Sequence, residues 1–105
     1  MLLATTETIH GREIAETLGV VRGNTIRARH LGHDILAGLR NVVGGEIKDY
    51  TRMLDHAREQ ALSRMIAQAE LLGADAVVSL RFTTAQTMSG AAEILVYGTA
   101  VRLDA

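Results

Sequence analysis

The sequence predicts an α+β fold: a two-layer β-α-β-β unit, with an antiparallel sheet packed by one long helix and a short helix preceding it. Three observations predict this. Apolar residues recur at three- and four-residue steps over residues 46–72. Two stretches after residue 75 alternate with period two, as paired strands do. The first third of the chain is rich in β-formers and has strand-length runs bounded by glycine and polar residues. With 105 residues, 48% apolar and 22% charged, the composition is that of one folding domain spanning residues 1–105.

Taken in order, residues 1–6 are a short strand candidate. Residues 14–26 hold a longer one, with Val20 and Val21 adjacent and Gly19 and Gly23 placed as bulge or bend points. Residues 34–43 form a short helix candidate closed by Gly44 and Gly45. Gly38 within it costs about 1 kcal/mol against alanine, and together with Ala37 gives a flat patch that another backbone can approach. The long helix follows. Ile47, Tyr50, Leu54, Ala57, Ala61, Met65 and Ala69 mark its apolar face, and Arg52, Asp55, Arg58 and Glu59 its charged one. Glu46 and Asp49 fall in its first turn, where carboxylates meet the positive end of the helix dipole. Gly73 is placed to end it in the left-handed conformation. At 1.5 Å per residue such a helix is roughly 40 Å long.

The hairpin closes the chain. Ala76, Val78, Leu80 and Phe82 alternate with Val77, Ser79, Arg81 and Thr83, and residues 88–90 read as a turn. On the return, Ile94, Val96 and Gly98 alternate with Leu95, Tyr97, Thr99, Val101 and Leu103. The last strand is thus apolar on both faces, and one long helix covers only one. The second face is expected to meet another subunit, or else to be covered by the short helix of the same chain.

Composition excludes several function classes. A net charge of −1 argues against a nucleic-acid partner, whose phosphates require many Lys and Arg. Arg22, Arg27 and Arg29 are a short basic stretch with no aromatic residues interleaved for base stacking. There is no cysteine, hence no disulfide and no thiolate, either as nucleophile or as the best soft metal ligand. No secretory signal or bilayer-length apolar run is visible, so no membrane partner and a cytoplasmic location are expected. The stretch "VVGGE" at residues 42–46 lacks the Lys-Ser/Thr of a phosphate cradle, and no nucleophile elbow or dinucleotide fingerprint occurs. Glu7, Glu13 and Glu16 have no second carboxylate placed opposite them by the sequence.

The chemistry-bearing stretch is "ARHLGHDILAG", where His30, His33 and Asp34 are the candidate metal ligands. Positions i and i+3 share a helix face, so both imidazoles can reach one ion. Gly32 between them places the helix start near His33 or Asp34, where an aspartate also serves as cap or terminal charge. Only two of the three comfortably share a face if the helix starts near Asp34, and two histidines leave too few strong bonds for a structural site, so no high-affinity site within one subunit is expected. A divalent metal ion is nevertheless the one cofactor class these donors suit. His10 and His56 are expected on the surface.

The stretches "TTETIHGREI" and "GVVRGNTI", then "AGLRNVVGGEI" at 37–47, "LGADAVV" at 72–78 and "GTAV" at 98–101, resemble the YbjQ-like proteins, small bacterial and archaeal chains carrying a heavy-metal-binding label. The resemblance spans nearly the whole chain. It implies a subunit similar to that of dodecin and a homo-oligomeric ring of five, with extra short strands helping subunits join. The family pattern carries other side chains where His30 and His33 stand, and some members have a Cys where this chain has Leu18 before Gly19. Asp34, Arg40, Glu46 and Tyr50 match its polar positions, and a network at the helix junction is the role this implies. Two functions of different class follow: a non-enzymatic ring that binds a metal ion or small ligand, and an enzyme whose active site lies between subunits.

Overall fold

The computed structural model describes residues 1–28, 48–88 and 91–104. Within them the order is strand β1 (Leu2–Leu3), strand β2 (Ile14–Ala28), helix α1 (Lys48–Leu71), strand β3 (Ala76–Met88) and strand β4 (Ala91–Leu103). The strands form one sheet in the order β1-β3-β4-β2. The α+β class is as the periodicity predicts, but the sheet is mixed. β2 and β3 pair antiparallel with β4, whereas β1 runs parallel to β3 through Leu2↔Ala76 and Leu3↔Val77. A two-residue strand carries no period that reveals its direction. The short helix expected over residues 34–43, its Gly44-Gly45 stop and the turn residues 89–90 lie outside the described residues.

Helix α1 lies over β2 and β4. Its buried seam is Ala57, Ala61, Met65 and Ala69, the face that the spacing predicts, with Leu54 packed beside it. Beneath it sit Val21 from β2, Val77 and Leu80 from β3, and Ile94, Val96 and Ala100 from β4. Fully burying a side chain such as Met65 or Ile94 contributes about 2 kcal/mol. Two small β2 residues let the helix come close. Gly23 leaves no room for a Cβ, which would stand 2.5 Å from the Met65 amide nitrogen. Thr25 donates its hydroxyl to the Ala57 carbonyl at 3.2 Å. Gly23 is therefore a contact glycine and not the bend its position suggests. Gly19 is the bulge: the β2–β4 register slips between Thr17 and Gly19, and Gly19 has φ 132°.

The helix ends as Gly73 predicts. The Ala74 amide donates to the Ala69 carbonyl and the Gly73 amide to the Glu70 carbonyl, the paired bonds of a Schellman stop, with Gly73 at φ 76°. On the charged face Arg58 pairs with Asp55 at 2.8 Å.

The second face of the sheet is covered in part by the chain's own N-terminal segment. A register shift between Val78 and Arg81, with Ser79 at φ 53°, breaks the alternation of β3. Ala76 and Val78 therefore point away from the helix, while Leu80 joins the core beneath it. Ala76 and Val78 cluster with Val101 and Leu103, and Ile9 and Ile14 of the same chain pack against them. Among the described residues, the N-terminal segment covers this end of the second face. Backbone bonds hold it there: the Ser79 amide donates to the Thr6 carbonyl and the Leu80 amide to the Ala4 carbonyl. Arg81 adds a bond from its guanidinium to the Thr5 carbonyl at 2.8 Å.

Candidate functional site

His30, His33 and Asp34 fall outside the described residues, as do Arg40, Glu46 and Gly44-Gly45. The remaining imidazoles are placed. His10 lies in the exposed turn after β1, and His56 is exposed on α1. Among the described residues no three of His, Cys, Asp and Glu gather where they could hold one ion. The described residues therefore offer no donor set that fits a heavy metal.

Of the acidic residues singled out in the sequence, Glu16 has a side-chain partner. Glu16 on β2 accepts a bond from Arg102 on β4 at 2.7 Å, two exposed side chains in neighbouring strands. A shallow polar hollow beside them is lined by Gly11, Arg12, Glu13 and Asp104. The Arg12 guanidinium and backbone groups there tie the segment before β2 to the end of β4. Arg12 donates to the Asp104 carbonyl at 3.1 Å, and the Asp104 amide donates to the Glu13 carbonyl at 2.9 Å.

What the surface does offer is apolar. At the C-terminal end of α1, a hollow of about 480 Å³ is lined by Val20, Arg22, Gln68, Leu71 and Leu72. Leu71 is 88% exposed and Val20 74%. The second feature is a groove of about 180 Å³ between α1 and the β1–β3 side of the sheet, lined by Leu3, Leu62, Leu80 and Phe82 with the Ala4–Thr5 backbone. It exists because the helix lies over β2 and β4 and leaves this flank of β3 uncovered. Phe82 is 45% exposed there.

Sequence reasoning missed both features. A signal for the first was present: two adjacent leucines before Gly73 cannot both point to one helix face, since neighbours are 100° apart. The groove left no signal, because it depends on where the helix lies across the sheet. The outer edge of β2, by contrast, is capped by the helix. Gln68 accepts the Arg22 amide at 2.7 Å, and Arg64 donates to the Asn24 carbonyl at 2.7 Å. Edge groups satisfied in this way do not invite a further strand.

Among the described residues no helix is long and apolar enough to cross a membrane. The family described as "Putative heavy-metal-binding" matches residues 1–104. A UPF0145 protein of Archaeoglobus fulgidus is 67% identical over 103 residues, covering 98% of this chain and 95% of its own. Another from Methanosarcina acetivorans is 60% identical, covering 98% and 97%. One from Thermus thermophilus is 57% identical over 104 residues, covering 99% and 91%. None of these names states an activity. The fold is shared with a crystal structure of a protein of unknown function, assigned to the DUF74 family, from Pediococcus pentosaceus. It has a TM-score of 0.71 and 21% identity, over 99% of this chain and 98% of that one.

Proposed function

The chain belongs to the YbjQ family, and from that premise we propose that it acts as a non-enzymatic homo-oligomeric ring, binding a metal ion or small ligand at sites completed between subunits. The observation that carries the ring is exposed apolar surface: Leu71 is 88% exposed, Val20 74% and Ile26 62%, and Phe82 is 45% exposed beside a groove of Leu3, Leu62 and Leu80. Five is the subunit number that the family resemblance implies.

Placing the ligand between subunits follows from the donor chemistry. One subunit's described residues supply no group of three ligands; in a ring, copies of His30 or His33 facing a central axis, or an interface bringing His10 or His56 to that pair, would complete the set. Native mass spectrometry of the protein as purified tests both parts together. A five-subunit mass with a constant excess over the summed chains supports the reading. A monomer at micromolar concentration overturns it.

A further inference from the structure

We infer that the apolar patch Val20–Leu71–Leu72 of one subunit seats in the groove between α1 and β3 of the next, lined by Leu3, Leu62, Leu80 and Phe82. The inference rests on the oligomer proposed above and names its contact surfaces. Three observations carry it.

The first is placement. Sheet order β1-β3-β4-β2 puts Val20 on one edge strand and Leu3 on the other. Patch and groove are thus on opposite flanks of the subunit, and a contact between them is head-to-tail. Such a contact repeats from copy to copy, forming a closed ring where the rotation closes and an open filament where it does not.

The second is height. Leu3 pairs with Val77, Val77 with Ala100, and Ala100 with Gly19, so Leu3 and Gly19 occupy one cross-strand row. Phe82 pairs with Val96 and Val96 with Gly23, so those two share another. The groove spans the rows from Gly19 to Gly23, and Val20 and Arg22 of the patch lie within the same rows. A head-to-tail contact between features at equal height needs no translation along the strands. This condition favours closure over a filament.

The third is chemistry. Leu71, 88% exposed at the helix end, is an apolar anchor that no described residue covers. The groove walls are leucine and phenylalanine. Gln68 and Arg64 already occupy the Arg22 amide and Asn24 carbonyl, so the joint forms by side-chain burial and not by strand addition at those positions. Burying both features takes Val20, Leu71 and Phe82 out of water together.

A mixing experiment tests this. Leu71→Asp removes the anchor and leaves the groove; Phe82→Asp blocks the groove and leaves the anchor. Leu3→Asp serves as a second groove variant should Phe82→Asp fail to fold by circular dichroism. Each variant alone is expected to weaken assembly roughly thirtyfold or more, the loss of a buried anchor residue, and to run as a monomer in native mass spectrometry. Mixed, the intact anchor of one fits the intact groove of the other, and the chain of contacts stops there. The expected species is a 1:1 heterodimer and nothing larger. A wild-type ring with either variant assembling as wild type overturns the assignment of surfaces while leaving the ring in place, as does a mixture that stays monomeric. A monomeric wild type overturns the ring itself and this contact with it.

Discussion

Gly23 on β2 lies so close under the Ala61 carbonyl of α1 that a single methyl group has no space between strand and helix. The Met65 amide nitrogen would stand only 2.5 Å from such a methyl, and both opposing groups are helix backbone. They cannot rotate away as a side chain can. Gly23→Ala is therefore expected to push the helix off the sheet and cost about 1–3 kcal/mol. Its sign is informative, because alanine at a glycine with ordinary φ otherwise stabilises by restricting the unfolded chain. Urea denaturation of the two proteins measures it. A midpoint that rises or stays level would mean the helix sits farther out.

Two residues along, Thr25 is 2% exposed and bonds the Ala57 carbonyl. That carbonyl also receives a helical amide four residues on, so it keeps a partner when the hydroxyl goes. Thr25→Val preserves shape and is expected to cost no more than about 1 kcal/mol. Thr25→Ala removes a methyl group from a filled site and should cost about 1 kcal/mol beyond that. Thermal or urea midpoints in the order Thr, Val, Ala support packing as the main role. Valine and alanine level with each other and both well below threonine would assign it to the hydroxyl.

Gly73 carries the helix stop at φ 76°, with the Arg102 guanidinium 3.3 Å from where a Cβ would stand. Alanine there costs about 1 kcal/mol. Valine should cost more, since a β-branched side chain is poorly tolerated at positive φ. The checking measurement is the denaturation midpoint of both variants. An unchanged value for Gly73→Val would show that the last turn unwinds cheaply.

The legible parts of the fold were those that rest on local periodicity. Ala57, Ala61, Met65 and Ala69 repeat at four-residue steps and are all buried. Gly73 sits where the apolar spacing stops, and the hairpin strands alternate. What escaped depends on contacts distant in sequence. The Ser79 bulge switches Leu80 to the helix side, although Ala76, Val78, Leu80 and Phe82 read as one face. Ile9 and Ile14 cover Val101 and Leu103 from a segment nearly ninety residues away in sequence, and no spacing announces that. The parallel pairing of β1 escaped for the same reason. For the site, the sequence marked the imidazoles, which are chemically conspicuous. It did not mark Leu71 or Phe82, whose importance lies only in being left uncovered.

The remaining prediction concerns His30, His33 and Asp34. These residues are expected to hold no ion tightly within one subunit. Two imidazoles leave too few strong bonds for a closed site. The chain has no cysteine to add a soft ligand. His10 and His56 are exposed on the N-terminal turn and on α1, and no group of three donors forms among the described residues. Any tight binding should therefore belong to the ring. Neutral imidazole is the ligating form, so such binding is present above the unperturbed histidine pKa of about 6.5 and is lost as pH falls through it. Calorimetric titration of metal-stripped protein with zinc, nickel and copper checks this in three preparations: wild type, the His30→Ala/His33→Ala double variant, and the Leu71→Asp variant. Binding lost in both variants would place the site between subunits. Weak binding unchanged across all three would leave the two histidines without a metal role. Sub-micromolar binding that survives in monomeric Leu71→Asp and vanishes in the double variant would show that one subunit holds the ion alone, against this prediction.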